Sequence, residues 1–156
     1  MNFPEELGQI KTIFLDTAPI IYFIEAHEQF GPLAKQAFKL IDKYMIQAFT
    51  SVLTLSEVLS KPAETGNNEL IEQFKIYLKN GPNLTMLPIT ETIGENAGIL
   101  RGKYPHLKTV DAVQISTALY AEADVFLTND KKLAGIKEIK ILILSNYLNN
   151  ARIQGS

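Results

Sequence analysis

Seventeen acids lie in this 156-residue chain, twelve glutamates and only five aspartates: Asp16, Asp42, Asp111, Asp124 and Asp130. Glutamate favours helix surfaces, whereas aspartate favours caps, turns and sites. Asp16 closes the apolar run TIFL, Asp130 follows VFLT, Asp111 sits in TVDAVQISTAL, and Glu57 sits in TLSEVL. Each of these four is flanked by apolar sequence that reads as buried, and charges are seldom buried unless paired or metal-bound. Singly, each has a structural reading: Asp111 and Glu57 as partners of a helix dipole, Asp16 and Asp130 as turn or cap residues. Asp42 and Asp124 read as a helix surface and a turn. Gathered in one crevice, the four become a problem of charge. Two unit charges ~4 Å apart repel by about 4 kcal/mol at an effective dielectric near 20. Several must then protonate, or cations must neutralise the cluster. One or two divalent ions would do so, and such ions activate water and clamp the oxygens of a phosphoryl displacement.

Composition narrows the metal. The chain has no cysteine and only two histidines, His27 and His106. Thiolate, disulfide and three-histidine chemistry is excluded. An all-oxygen site suits Mg²⁺, Mn²⁺ or Ca²⁺. The net charge of −2 lacks the basic excess common among nucleic-acid binders. No apolar run approaches the ~20 residues of a membrane span, and the N-terminus has no signal-peptide pattern. A cytoplasmic protein without membrane contact is expected.

The elements that must position the acids follow from pattern. Residues 12–15 (TIFL) read as a buried strand, followed by a helix with Thr17 as cap and Pro19 in its first turn. Gly31-Pro32 opens a second helix, on which Leu33, Ala37, Leu40, Ile41 and Tyr44 share a face. QAFTS at 47–51 is a strand, and a helix opens at Thr54. Residues 62–68 are a breaker cluster, read as loop. Residues 68–79 form an amphipathic helix ended by Gly81-Pro82. Residues 84–89 are a strand with Pro88 at its edge or end. A helix over 90–104 is capped by Thr90, and RGKYPHLK at 101–108 reads as a basic loop. Residues 109–123 are helical, with Val110, Val113, Ala118 and Leu119 in register. VFLT at 125–128 and residues 139–144 are strands, and 146–152 a short helix or tail. The alternation predicts a single α/β domain with a mainly parallel central sheet of four to five strands flanked by helices. It divides as a leader at 1–11, the domain at 12–145 and a C-terminal helix or tail at 146–156. In open parallel sheets, ligands bind beyond the carboxyl ends of the strands, where Asp16 and Asp130 fall. Gly94, Gly98 and Gly102, four apart on one helix, read as close intrachain packing, with a dimer interface as the alternative.

With these segments in order, the chain resembles PIN-domain ribonucleases, and particularly the VapC-type toxins of toxin–antitoxin pairs. The segments that carry the resemblance are IFLDTAPIIYFIE, TSVLTLSEVL, TVDAVQISTAL and VFLTND, over roughly residues 12–145. The resemblance implies that Asp16, Glu57, Asp111 and Asp130 are catalytic and bind Mg²⁺ or Mn²⁺, and that single-stranded RNA is cut by water attack on a phosphodiester. It implies auxiliary roles for Thr128 and Asn129, which orient the last acid or a bound water. Ser51 and Thr54 match the family's hydroxyl positions before the second acid and read as helix caps. A protein antitoxin and a homodimer are implied likewise. The eleven residues before TIFL depart from the usual short lead and read as a disordered leader or a partner-binding arm.

Excluding the four site acids leaves the rest of the chain at +2. Arg101, Lys103, Tyr104, His106 and Lys108 crowd one stretch before Asp111, and Lys131 and Lys132 follow Asp130. Rimming the pocket, these would contact RNA phosphates, with Tyr104 stacking on a base; the alternative is a solvated loop and helix start. Other readings are a non-catalytic PIN-like RNA-binding module and a free-standing RNA-processing nuclease. A haloacid-dehalogenase-type phosphatase needs a second acid two residues after the first, where Ala18 stands.

Overall fold

The computed structural model describes residues 1–148. Five parallel strands form one sheet: β1 (Thr12–Leu15), β2 (Gln47–Ser51), β3 (Leu84–Leu87), β4 (Val125–Thr128) and β5 (Lys140–Ile143), in spatial order β3-β2-β1-β4-β5. The chain builds outward from β1 to β2 and β3, then returns to place β4 on the other side of β1. The strand order reverses between β1 and β4, which opens a crevice beyond their carboxyl ends.

Strand alternation sends side chains to two cores. Ile13, Leu15, Val125 and Leu127 face one layer, which holds α1 (Phe3–Leu7), α2 (Thr17–Ile24), α3 (Gly31–Asp42), α4 (Val52–Thr65) and α5 (Asn68–Asn80). Phe14 and Phe126, stacked at 5.3 Å, face the other, which holds α6 (Glu91–Lys103) and α7 (Thr109–Tyr120).

The structure departs from pattern at identifiable places. The N-terminal eleven residues are no loose arm: Phe3 and Leu7 are buried in the first core, and Asn2 closes a capping box with Glu5. Residues 62–65 are helix rather than loop. Pro62 lies buried inside α4, and the turn is deferred to Gly66 in the left-handed conformation, φ 71°. Arg101 and Lys103 extend α6, so the basic loop shortens to 104–108. Tyr44 leaves the α3 face, because α3 ends before it and it takes φ 59° in the following turn. On α7 the buried face is Ala112, Ile115 and Ala118, while Val110 and Leu119 are exposed. The cap positions are Asp16 for α2 and Lys108 for α7, neither with a side-chain cap bond. A Cβ at Gly94, Gly98 or Gly102 meets open space, so this stripe packs against nothing within the described chain. Of the C-terminal stretch, residues 149–156 lie outside the described residues. Leu144–Tyr147 is a single 3-10 turn. No helix among the described residues is long and apolar enough to cross a membrane.

Candidate active site

All five strands being parallel, their carboxyl ends share one side of the sheet. Asp16 follows β1 directly, and its N–H still pairs with Leu127 O of β4 at 3.0 Å. Asp130 follows β4 by two residues. Glu57 sits in the second turn of α4, whose N-cap Ser51 ends β2, and Asp111 in the first turn of α7. Four elements thus deliver one acid each.

Hydroxyl groups fix these carboxylates. Thr128 Oγ1 donates to Asp16 Oδ2 at 2.8 Å and accepts from the Asp130 N–H at 3.1 Å. One side chain therefore joins the first and last acids. Thr17 Oγ1 donates to Glu57 Oε1 at 2.7 Å, which makes Thr17 a clamp between α2 and α4. Asp130 Oδ1 accepts from the Lys132 N–H at 2.9 Å and opens the 3-10 turn Lys131–Gly135. Asn129 spends both ends of its amide on the scaffold: Nδ2 donates to the Tyr22 hydroxyl at 3.1 Å, and Oδ1 accepts from the Ser145 N–H at 2.9 Å.

Electrostatics marks the crevice. Burial pushes the Asp16 carboxyl up to about 6, and the charges of Asp111 and Glu57 add to the rise; the Thr128 and Thr17 hydrogen bonds oppose it. Asp111 is raised by burial and by Asp130 and Glu57, against Lys108 and Lys132 nearby. Each of the four acids therefore belongs to one mutually repelling set. Among the described residues no three of them converge on one point as a closed metal cage. That donor set, all carboxylate oxygen and at most pairwise, fits a hard cation that keeps several waters.

Beneath the acids lies a buried polar network that sequence inspection missed. Gln114 is fully buried on α7. Its Nε2 donates to Thr54 Oγ1 at 2.8 Å, and its Oε1 accepts from the Ser51 hydroxyl. Thr50 Oγ1 lies 2.8 Å from both Leu15 O and Thr54 Oγ1. Ser51 is thus the cap expected of it, accepting from the Leu53 N–H at 3.2 Å, whereas Thr54 is a cross-link and no cap. Glu57 and Asp111 are each three residues from a member of this network, Thr54 and Gln114, on the same helix faces. A glutamine on the buried stripe of a helix was the available signal.

The basic residues separate. Lys103, Tyr104, His106, Lys108 and Lys132 line one cavity together with Asp111. Arg101 and Lys131 are exposed and do not line it. Lys103 is paired to Glu138 at 3.0 Å. Asp124 is structural: at the opposite, amino ends of β1 and β4 its Oδ2 accepts from the Lys11 and Thr12 N–H groups at 2.8 and 3.1 Å, which hold it below the usual carboxylate range.

A PIN-domain family model matches residues 13–139, and the chain belongs to that family. Solved structures with the same fold include a toxin–antitoxin complex from Klebsiella pneumoniae (22% identity, 85% of this chain and 97% of that one, TM-score 0.65). VapBC2 from Rickettsia felis, bound to a promoter DNA fragment, matches at 17% identity over 85% and 98%, TM-score 0.68. VapC20 of Mycobacterium tuberculosis, a sarcin–ricin loop cleaving toxin, matches at 20% identity over 82% and 98%, TM-score 0.59. No curated protein sequence matches the chain.

Proposed function

We propose that this chain is a Mg²⁺- or Mn²⁺-dependent endoribonuclease that cleaves single-stranded RNA and serves as the toxin of a toxin–antitoxin pair. The observation that carries the reading is the delivery of Asp16, Glu57, Asp111 and Asp130, from four elements, to the β1/β4 switch point, with Asp16 and Asp111 raised by burial and mutual repulsion. A cluster that repels itself is stabilised by divalent cations. PIN membership and the sarcin–ricin loop cleavage of the VapC20 neighbour support RNA as the substrate.

Asp16, Glu57, Asp111 and Asp130 would hold the cation, which would supply positive charge to the scissile phosphate and acidify water. The chain does the rest. Thr128 and Thr17 hold Asp16 and Glu57 with one oxygen each committed, leaving the others free for cation or water. Asn129 ties the end of β4 to α2 and so aims Asp130. Lys108 and Lys132 stand beside Asp111, placed to bind flanking phosphates. The toxin reading entails a protein antitoxin and a cytoplasmic location, and the open Gly94, Gly98 and Gly102 stripe on α6 offers a face for a homodimer.

Inducible expression in a bacterial host tests the toxin reading. Wild type is expected to arrest growth and Asp111→Asn to relieve the arrest. Equal growth of both contradicts it. Calorimetric titration of the purified protein with Mn²⁺ tests the cation: Asp16→Asn is expected to bind at least ~10-fold more weakly, and equal affinity contradicts the assignment.

A further inference from the structure

The α6–α7 turn and the 3-10 turn Lys131–Gly135 enclose a cavity of about 430 Å³ with Asp111 on its wall. Its size falls within the ~300–1,000 Å³ of small-ligand sites. Leu107, Leu133 and Ile136 line it with apolar surface and are themselves almost fully buried. The Tyr104 ring is a fixed wall: its hydroxyl donates to Glu138 Oε1 at 2.7 Å and accepts from the Lys137 N–H at 3.2 Å. The Lys103 ammonium lies 5.6 Å from the ring centroid. Lys108 and Lys132 are exposed, line the cavity, and make no ion pair among the described residues. The amino end of α7, at the same cavity, has no side-chain cap, so its first N–H groups keep donor capacity.

A slot with apolar and aromatic walls, two uncommitted cations at its rim and an acid cluster adjoining it matches one kind of ligand well. A nucleobase is planar and largely apolar on its faces; its phosphate needs cations. A basic peptide would meet Lys108 and Lys132 repulsively, and an apolar molecule would leave both lysines unused. A base held in a duplex cannot enter such a slot without leaving its stack. We propose that this cavity is a nucleoside subsite that takes one unpaired base of the RNA, with Lys108 and Lys132 on its phosphate and the scissile linkage directed toward Asp111. The subsite selects substrates with an extruded or single-stranded base next to the cut. It rests on the ribonuclease reading of the acids, and its test separates the two.

Gly135 lines the cavity, has no left-handed φ, and a Cβ added there meets open space. Gly135→Phe therefore fills the slot without altering acids or lysines. The experiment titrates ¹⁵N-labelled protein in EDTA with AMP, GMP, CMP and UMP. Amide shifts are expected at Leu107, Leu133 and Gly135, with affinity at least 10-fold weaker in Gly135→Phe and several-fold weaker in Lys132→Ala. If Gly135→Phe fails to fold by circular dichroism, Lys108→Ala with Lys132→Ala carries the comparison. A second arm walks one abasic position along a cleaved oligoribonucleotide. One position should raise KM at least 10-fold in wild type, and Gly135→Phe should erase that difference. The proposal is overturned if no nucleotide shifts these amides, if the variants bind as wild type does, or if only a capped Leu-Arg-Leu peptide binds there. Wild type that cuts no RNA would refute the ribonuclease reading instead, while the nucleotide titration would still decide the cavity.

Discussion

At the residue scale, Thr128 joins two acids that both repel Asp111. Its hydroxyl satisfies an Asp16 oxygen and caps the Asp130 N–H. Thr128→Val keeps the shape and removes both bonds. A loss of about 2 kcal/mol in chemical denaturation is expected, since hydrogen bonds to charged groups contribute ~1.5–3 kcal/mol. The Asp16 carboxyl should rise further, because this bond is the larger of the two that lower it, and NMR titration of its carboxyl carbon would read that shift. Asp16 itself titrates near 3.8 when unfolded and about 6 when folded. Between those values the folded state holds more protons, so metal-free stability falls as pH rises from ~4 to ~6 and is then flat. Asp16→Asn removes that slope and should raise metal-free stability at pH 7.5 by up to about 3 kcal/mol, measured by urea denaturation in EDTA. The four acids stand out in the sequence because each interrupts an apolar run. Their hydroxyl partners do not, because Thr17–Glu57 and Asp16–Thr128 pair across 40 and 112 residues that only the fold brings together.

At the element scale, α4 and α7 are cross-linked one turn below the acids they carry. Gln114→Leu leaves the Ser51 hydroxyl without its acceptor and removes the Thr54 contact. Buried groups left unsatisfied cost ~1–3 kcal/mol each, so a stability loss of about 2 kcal/mol is expected, with Mn²⁺ affinity reduced several-fold. An unchanged affinity in a destabilised variant would mean that the network supports the fold but not the spacing of Glu57 and Asp111. Helix ends were less legible than helix centres. Pro62 reads as a breaker, yet the tertiary burial of its ring carries α4 on to Thr65, and the hydroxyl of Thr65 bonds back to Lys61 O at 3.2 Å. On α7 only Ala118 of the expected face is buried, because Gln114, Ser116 and Thr117 are buried there among small apolar residues, and polarity concealed the stripe.

At the scale of the molecule, the order of strands decides where chemistry sits. Strand and helix alternation made the parallel sheet readable. The order β3-β2-β1-β4-β5, which sets the crevice between β1 and β4, depends on long-range pairing that alternation does not encode. The N-terminal helix is part of this body: Phe3 is 1% exposed and lies 5.0 Å from the Tyr147 ring, and Glu6 pairs with Lys140 on the edge strand β5 at 2.5 Å. Phe3→Ala should therefore destabilise the whole domain by ~3 kcal/mol in one cooperative transition, seen as a lower urea midpoint. Loss of helix signal alone, with the midpoint unchanged, would mean that α1 is dispensable. The proposed activity is cleavage of RNA by the four acids at the switch point with a divalent cation. Its most direct measurement incubates purified protein with single-stranded and structured RNAs in Mg²⁺, Mn²⁺ or EDTA, beside Asp16→Asn. Cuts are expected in either metal, none in EDTA, and at least ~100-fold slower cleavage in the variant. Cleavage that persists in EDTA or at wild-type rate in Asp16→Asn would contradict the proposal, as would a folded, metal-loaded protein that cuts none of the RNAs.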